Sequence, residues 1–388
     1  MTRRLLVAIA AIGVATGAAL YARGSGGTAQ PQPGVCRDWF AAPAYHREID
    51  SVRTLVARMK RAFAAPGLSV AIAADGKLVW SQGCGFAALV RRRPVARTTQ
   101  FRIGSVSKAL AAAIVARLDQ RGRLDVDDDI GMYLPAFPHR SPAPTLRQLG
   151  GHLGGIRHYE GAEATNTKHY RSLPDSLRAF IDDPLVAAPG GEFHYSSYGF
   201  NLLGATVETV TRTDFANAVS ATLLKPLGMR WTAVGRPPIG GTRFYEVTGA
   251  SRAVSAPRID LSDRYPSGGF LSTAEDLVRF GIGITNVRFL DPRSQAMLFT
   301  PQRTDSGKPT GYGFGFEVGD SPVGPVAGHT GNVVGGTSFI LIHLRTRVVV
   351  ALVTNIGFVT APRPPDLAGT PDPPQLAMPF IRRVLARR

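Results

Sequence analysis

A serine and a lysine stand three residues apart at the start of a predicted helix, in the segment FRIGSVSKAL. On a helix, Ser105 and Lys108 would share one face. The free backbone N–H groups of the first turn and the helix dipole favour a developing oxyanion at the serine. The same positive end and burial of the lysine stem lower the lysine pKa, so that the amine can take the serine proton. The alternative is a serine cap beside a surface lysine.

Lysine is scarce in this chain, which favours the catalytic interpretation. Only six of the 45 basic residues are lysines. One of them stands at position 108, where an arginine could not act as a base.

Two later motifs would complete such a site. Tyr195 stands in PGGEFHYSSYGF, in a turn that enters a helix, where a tyrosine can relay protons if neighbouring cations lower its pKa. His329, Thr330 and Gly331 stand in VAGHTGNVVGG near the end of a strand, where the glycine would let a substrate backbone approach closely. The alternatives are a packed aromatic residue for the tyrosine and a β-turn for the histidine segment.

The order of these motifs resembles the serine β-lactamase and penicillin-binding protein family, whose members carry Ser-x-x-Lys, Tyr-x-(Asn or Ser) and (Lys or His)-Thr-Gly. The resemblance extends from about Pro66 to Arg383, and its details lean toward class C-like enzymes. The supporting stretches are TTQFRIGSVSK, LRQLGGHLGGI, PGGEFHYSSYGFNLLGA, YPSGGFLSTAEDLVRFG and YGFGFEV.

The resemblance implies a division of roles among three residues. Ser105 would be the acylated nucleophile. Lys108 would be its base, or would keep Tyr195 deprotonated. Tyr195 would protonate the leaving group and later activate the deacylating water. The resemblance implies no metal and no cofactor.

Substrate contacts follow from the same resemblance. The backbone N–H groups of Ser105 and Asn332 would form the oxyanion hole, and His329 and Thr330 would line the substrate side of their strand. Two residues depart from the common pattern. His329 replaces a lysine and is largely neutral at pH 7, and Ser197 replaces an asparagine that contacts the substrate amide. Both departures disfavour an efficient β-lactamase and fit a peptidase or an esterase.

Other histidines offer no metal site. His152 and His158 are six residues apart in GGHLGGIRH, a spacing that does not suit a zinc pair on a helix. We expect His152 to be structural. Tyr312, in GYGFGF, fits either the cleft or the core.

The N-terminus predicts export. The positive segment TRR precedes an apolar run from Leu5 to Ala22, and GSGGTAQPQPG follows. We expect a signal peptide or membrane anchor over residues 1–29 and a linker over residues 30–44. The folded part would then be periplasmic or extracellular, with a possible membrane tether.

The chain has two cysteines, Cys36 and Cys84. In an oxidising compartment such a pair can form one disulfide. The alternative of a catalytic cysteine lacks a neighbouring histidine at either position.

Composition indicates a globular protein. The 388 residues are 44% hydrophobic and 19% charged, enough to bury a sizeable core. The net charge of +17 is spread over scattered arginines, with no long basic run and no zinc-finger spacing. This pattern favours a solvated basic surface over nucleic-acid binding.

Strand signals occupy both ends of the chain and helical signals its middle. We expect a hairpin that turns at Asp75-Gly76, a proline-rich loop over 362–374 and a last amphipathic helix. Further helices are expected over 45–65 and 105–121, and strands over 323–332, 337–344 and 348–353.

These elements predict an α+β fold, which by the resemblance is β-lactamase/transpeptidase-like. An antiparallel sheet built from N- and C-terminal segments would be flanked by helices. The sheet domain would comprise residues 45–125 and 262–388, with a mostly helical domain inserted over 126–261. Sites in such folds usually lie at the seam.

The sequence therefore predicts an exported serine hydrolase that cleaves amide or ester bonds of a small peptide, ester or β-lactam-like substrate through an acyl-enzyme. Peptidase activity of the D-Ala-D-Ala carboxypeptidase type is the first expectation, an esterase the second and a weak β-lactamase the third. A non-catalytic envelope scaffold is the alternative from another class. Such a scaffold would have no need of Ser105, Lys108 and Tyr195 together.

Overall fold

The computed structural model describes residues 36–138, 140, 142–248, 252–357 and 373–387. The segment expected as a signal peptide or anchor lies outside these residues, as does nearly all of the proline-rich loop. No helix within the described ranges is both long enough and apolar enough to cross a membrane.

Strands and short or long helices alternate along the described chain. The strands β1 to β14 are Cys36–Ala41, Gly67–Ala74, Lys77–Ala88, Arg93–Pro94, Phe101–Arg102, Ala233–Val234, Tyr245–Thr248, Arg252–Ser255, Phe270–Ser272, Glu317–Ser321, Gly324–Val333, Gly336–His343, Val348–Thr354 and Ile356–Gly357. The helices α1 to α11 are His46–Ala62, Val106–Asp119, Leu146–Gly150, Leu173–Leu177, Ser197–Thr211, Phe215–Val219, Lys225–Leu227, Tyr265–Gly268, Ala274–Ile284, Pro292–Phe299 and Met378–Leu385.

An eight-stranded antiparallel sheet joins the two ends of the chain. Its main path runs β1-β3-β2-β13-β12-β11-β10, and β4 pairs with β3. The pairing of β2 with β13 connects an N-terminal hairpin to a C-terminal meander. Helices pack on both sides of this sheet. The expected α+β fold, with a sheet built from both ends of the chain, is therefore confirmed.

Tight turns fix the register of the sheet. Asp75 and Gly76 both have positive φ angles, 51° and 71°, as a two-residue type I′ hairpin requires. Aspartate tolerates this region and glycine adopts it freely, so the expected turn forms at this point. The turn at 344–347 likewise joins β12 to β13.

The central strands are buried on both faces, and each face packs against different helices. Helices α1 and α11 contribute to one core, and α2, α5 and α9 contribute to the other. Because both faces are apolar, β13 reads as a continuous hydrophobic run. Its side chains alternate between the two cores, with Val348, Val350 and Leu352 in the first and Val349, Ala351 and Val353 in the second.

Helix α2 lies at the centre of the second core. Its sequence VSKALAAAIVARLD is apolar around most of its circumference, which is typical of a helix buried on all sides. Small side chains allow close neighbours, since a Cβ on Gly315 would lie 2.3 Å from the Cβ of Ala112. This packing also buries Lys108, whose 0% exposure is unusual for a lysine.

The linker expected over residues 30–44 is wrong for part of its length, because Cys36–Ala41 forms strand β1 at the edge of the sheet. A disulfide joins Cys36 to Cys84 on β3. The Trp39 ring packs over Gly83, where a Cβ would lie 2.2 Å from the ring. These two contacts hold β1 against the sheet. The polar, proline-containing sequence before β1 had favoured a linker instead of a strand.

The middle of the chain contains strands as well as helices. Strand β6 forms a small sheet with β5 and β9, and β7 and β8 form another with β14. Strand β6 pairs with β9 and β7 pairs with β14, both in the segment 262–388. The backbone N–H of Arg243 donates to the carbonyl oxygen of Ala87, so the middle segment is hydrogen-bonded to both flanking segments. The division into a sheet domain and a helical domain stays a prediction.

The disulfide should stabilise the fold measurably. It joins residues 48 apart in the sequence. Reduction should lower the free energy of unfolding by about 2–4 kcal/mol, because the cross-link restricts the unfolded chain. Urea unfolding of oxidised and reduced protein measures this difference. A Cys36→Ser/Cys84→Ser protein should resemble the reduced form and ignore the reductant. Equal midpoints for the oxidised and reduced forms would contradict the prediction.

Candidate active site

Two glycines hold the turn that carries Ser105 against strand β11. Gly104 has a positive φ of 48°, and a Cβ there would lie 2.9 Å from the backbone nitrogen of Asn332. A Cβ on Gly331 would lie 2.1 Å from the carbonyl oxygen of Ile103. The expectation that Gly331 makes room for a substrate backbone is therefore wrong, because it makes room for the turn before the serine. The backbones at Ser105 and Asn332 consequently lie side by side.

Lys108 is the buried centre of the site. Its Nζ lies 3.1 Å from Ser105 Oγ, 3.0 Å from Ser197 Oγ and 2.8 Å from the carbonyl oxygen of Ser267. The Ser105 side chain makes no capping hydrogen bond. The alternative of a serine cap beside a surface lysine is therefore wrong.

Burial decides the protonation state of Lys108. Removal from water disfavours the ammonium and Arg264 repels it, so the pKa of Lys108 falls well below its ordinary value. A neutral amine has two N–H donors and one lone pair. The Ser267 carbonyl can only accept, so it takes one N–H, and the Ser197 hydroxyl takes the other. The lone pair then remains for the hydroxyl proton of Ser105, as a general base requires.

Helix α8 and the residue before it form the wall behind the lysine. The Ser267 hydroxyl lies 2.8 Å from the hydroxyl of Tyr159. The guanidinium of Arg264 is paired with Asp263 at 2.6 Å and lies 4.6 Å from the centroid of the Tyr159 ring. This pairing holds the positive charge of Arg264 in a fixed position, from which it acts on Lys108.

Tyr195 ends the turn before α5, and its ring faces the lysine. Lys108 Nζ lies 4.9 Å from the ring centroid. Burial raises the pKa of Tyr195, and the Glu317 carboxylate adds to this effect. The phenol is therefore protonated at neutral pH. Of the two roles expected for Lys108, these directions favour the base of Ser105 over the cation that keeps Tyr195 deprotonated, because the adjacent amine is itself neutral.

Two histidines position the turn between Tyr195 and α5. The Nδ1 of His152 accepts a hydrogen bond from the backbone N–H of Ser196 at 3.0 Å. The Nδ1 of His158 accepts one from the backbone N–H of Ser197 at 3.1 Å. Burial lowers the pKa of His158 to about 4 and that of His152 well below its ordinary value, so both rings are neutral. The structural role expected for His152 is confirmed, and His158 shares it.

Strand β11 buries His329 and exposes Thr330. The Nε2 of His329 lies 2.8 Å from the hydroxyl of Tyr312, and its Nδ1 lies 2.6 Å from the Thr330 carbonyl oxygen. Because the carbonyl can only accept, Nδ1 carries the proton and Nε2 accepts from Tyr312. Burial lowers the pKa of His329 to about 3, which makes the ring neutral. The expectation that His329 lines the substrate side is wrong, since it is 3% exposed.

A carboxylate that sequence reasoning missed lies beside Thr330. Glu317 is on β10, and its Oε1 lies 3.4 Å from Thr330 Oγ1 and 3.9 Å from His329 Nδ1. Burial raises the pKa of Glu317 to about 7, although hydrogen bonds from Thr330 oppose the shift. The available signal was its place directly after the aromatic run YGFGF.

The assembled groups suit acyl transfer. The site combines a serine hydroxyl, a neutral amine and a protonated phenol beside two adjacent backbone segments. Among the described residues, no three histidine, cysteine, aspartate or glutamate side chains are grouped to hold a metal ion.

The Beta-lactamase family model matches residues 52–368, which is most of the chain. The protein therefore belongs to this family of serine hydrolases, which contains amidases, esterases and penicillin-binding proteins.

The chain is similar to a curated protein in sequence and to several solved structures in fold. It is 29% identical over 344 residues to the serine beta-lactamase-like protein LACTB, mitochondrial, of Homo sapiens, a match that covers 66% of this chain and 63% of that protein. The chain thus spans less than two thirds of that relative. In fold it resembles the octameric penicillin-binding protein homologue from Pyrococcus abyssi, with a TM-score of 0.71 and 22% identity over 87% of this chain and 77% of the other. The D-amino acid amidase from Ochrobactrum anthropi SV3 gives a TM-score of 0.70 and 20% identity over 87% and 99% of the two chains.

The buried amine should leave a signature in stability. The unfolded lysine keeps its proton up to its ordinary pKa of 10.5, whereas the folded one loses it at lower pH. Between these two values unfolding takes up a proton, so Lys108 makes the free energy of unfolding rise with pH by about 1.4 kcal/mol per unit. Below the folded-state pKa both states hold the proton, and the full cost of burying the charge is present.

Denaturant unfolding from about pH 7 to about pH 10 measures this slope. Lys108→Met should lose the rise, and Lys225→Met, which removes an exposed lysine, should keep it. A wild-type slope equal to that of Lys108→Met would contradict a depressed pKa.

The His158 contact should matter for both stability and reactivity. Alanine at this position leaves the buried N–H of Ser197 without its acceptor, which should cost about 1–3 kcal/mol. Labelling of Ser105 by a serine-directed reagent should slow as well, because Ser197 contacts Lys108. His158→Asn places an oxygen near the position of Nδ1 and should restore much of both. Equal behaviour of the alanine and asparagine variants would argue against the hydrogen bond as the cause.

Proposed function

We propose that the protein is an exported serine hydrolase that cleaves an amide or ester bond through an acyl-enzyme on Ser105. The observation that carries the proposal is the contact between Ser105 Oγ and the Nζ of Lys108 at 3.1 Å, with the lysine fully buried. The unprotonated amine can accept the serine proton, and a depressed pKa raises its population at neutral pH.

In acylation, the Ser105 oxygen attacks the substrate carbonyl carbon as its proton moves to Lys108. The developing negative charge on the carbonyl oxygen is stabilised by the backbone N–H groups of Ser105 and Asn332. As the tetrahedral intermediate collapses, Tyr195 gives its phenol proton to the leaving nitrogen or oxygen. The Lys108 ammonium then returns a proton to Tyr195, so one proton passes in total from the serine to the leaving group.

Deacylation repeats these steps with water. A water molecule in the position vacated by the leaving group passes a proton through Tyr195 to Lys108 and attacks the ester carbonyl. The same oxyanion contacts stabilise the second intermediate. Its collapse releases the acid, and the Lys108 ammonium returns the proton to the Ser105 oxygen.

Amidase or esterase activity fits the charges of the cleft better than carboxypeptidase or β-lactamase activity. A carboxylate on the substrate would require a cation near Thr330. His329 is buried and neutral there, and Glu317 becomes negative above its pKa of about 7, which would repel such a carboxylate. The likeness in fold to a D-amino acid amidase adds amino-acid amides to the candidate substrates. Faster hydrolysis of a cephalosporin than of neutral amides and esters would contradict this ranking.

Export is supported by two independent features. The positive and apolar segments at the N-terminus are typical of a signal peptide or anchor. The disulfide between Cys36 and Cys84 is of a kind that persists in oxidising compartments. Recovery of the native chain in the cytoplasmic fraction with both thiols free would contradict the proposal.

Intact-mass spectrometry tests the nucleophile. We expect one adduct when the protein is incubated with a fluorophosphonate, and none with Ser105→Ala. Lys108→Met should remain folded but be labelled at least about 100-fold more slowly, because general-base catalysis typically contributes that much. A penicillin, incubated separately, should acylate the wild type poorly.

The outcomes separate the candidate functions. Rapid acylation by penicillin would favour the carboxypeptidase or β-lactamase interpretation. Absence of any adduct on a folded wild-type protein would favour the non-catalytic scaffold, and so would equal labelling of wild type and Lys108→Met.

A further inference from the structure

Glu317 is placed at the edge of the cleft by the pairing of β10 with β11. It lies opposite Gly328, one residue before His329. Its carboxylate accepts a hydrogen bond from Thr330 Oγ1 at 3.4 Å. The Glu317 side chain is 32% exposed, whereas the adjacent His329 side chain is 2% exposed. The carboxylate is therefore accessible from the cleft, while the imidazole beside it is not.

Above its pKa of about 7 the Glu317 carboxylate is negative, and in the described part of the chain it lacks a cationic partner. Its ion-pair contact within 4.0 Å is His329, at 3.9 Å, and that ring is neutral. The hydroxyl of Thr330 contacts it, and at longer range it raises the pKa values of the Tyr195 and Tyr312 phenols. None of these carries a positive charge. A bound ligand could supply one.

The position of Glu317 identifies the part of the substrate that it would meet. Thr330 and Asn332 alternate along β11 and so point to the same side of the strand. The ring of Tyr195 lies 6.4 Å, centroid to centroid, from the ring of His329, whose Nδ1 is 3.9 Å from the Glu317 carboxylate. Tyr195 is the proton donor to the leaving group in the proposed mechanism. Glu317 therefore lies on the leaving-group side of the scissile bond.

We propose that Glu317 is a specificity-determining residue that favours esters and amides with a positively charged leaving group and disfavours those with a carboxylate. The inference rests on the proposed function. The inference adds a substrate class to the proposed function, namely substrates whose leaving group carries an ammonium, such as an amino alcohol or a diamine. Attraction between the ammonium of the leaving group and the Glu317 carboxylate, in a partly exposed cleft, is expected to change relative rates by roughly five- to tenfold.

Three thioesters with equal acyl groups test the proposal. Acetylthiocholine carries a permanent positive charge, 3,3-dimethylbutyl thioacetate is its neutral isostere, and 3-(acetylthio)propionate is negative. The released thiol is measured with a disulfide reagent, and kcat/KM is compared within each protein. We expect the wild type to prefer the cation to its isostere by roughly five- to tenfold and to process the anion most slowly.

Two variants assign the preference to one side chain. In Glu317→Gln the ratio of kcat/KM for the cationic thioester to that for its neutral isostere should fall toward one. The kcat/KM of the anionic thioester should rise relative to both. Asp320→Asn removes the same charge from an exposed position on the same strand and should keep the wild-type ratio. Fluorophosphonate labelling of Ser105 in each variant checks that the site is intact.

The outcomes distinguish this inference from the proposed function. Hydrolysis of the neutral ester with equal ratios in wild type and Glu317→Gln would overturn the role of Glu317 alone. Absence of both hydrolysis and Ser105 labelling would overturn the two proposals together. If Ser105 is labelled but the thioesters are inert, protection from labelling is compared for choline and 3,3-dimethylbutan-1-ol. The inference is supported if choline protects Ser105 more strongly than the neutral alcohol in the wild type but not in Glu317→Gln. Equal protection by the two alcohols in the wild type overturns it.

Discussion

The site depends on the burial of an amine that has no acidic partner among the described residues. The three polar contacts of Lys108 are two hydroxyls and a carbonyl, and a carboxylate in their place would hold the proton on the nitrogen. Dipoles can satisfy the hydrogen bonds of an amine without fixing its charge. The fold must therefore supply these dipoles at short range while it excludes water. This requirement explains why the lysine belongs to the central helix rather than to a surface loop.

The contacts of the lysine come from parts of the chain that only the folded core brings together. Ser197 and Ser267 are 89 and 159 residues away in the sequence, at the start of α5 and within α8. The neutral rings of His152 and His158 hold the α5 end, and Gly104 and Gly331 hold the nucleophile against β11. Most titratable groups of the site are thus kept uncharged, so an isolated charge at its edge acts over a longer range than it would in water.

Local patterns were sufficient for the elements that depend on neighbouring residues. The Asp75-Gly76 turn and the apolar circumference of α2 could be read directly, and the order of the three motifs located Ser105 and Lys108. Other features depend on tertiary contacts that no local pattern indicates. Every residue has a backbone carbonyl, so the sequence could not identify the carbonyl of Ser267 as the one that contacts Lys108.

The protonation states of Tyr195 and His329 follow from burial rather than from residue type. The motifs singled out both residues, yet the exposure expected at His329 was wrong, and burial disfavours the alternative of a deprotonated Tyr195. Strand β1 is an edge strand held by a distant cysteine and by Trp39 over Gly83, so its own six residues gave little evidence of it. The place of Glu317 in the site could be recognised only from its contact with Thr330, which the pairing of β10 with β11 creates.

The disulfide also determines how tension would enter the fold. Cys36 is the first residue of β1 and lies opposite Cys84, at the end of the strand where the upstream chain arrives. Without the cross-link, a pull on that chain would break the hydrogen bonds between β1 and β3 one after another, starting at this end. With the cross-link at this end, the load passes through a covalent bond into the interior of the sheet. Tension applied upstream of Cys36 would thus enter at Cys84 rather than at the hydrogen bonds of β1.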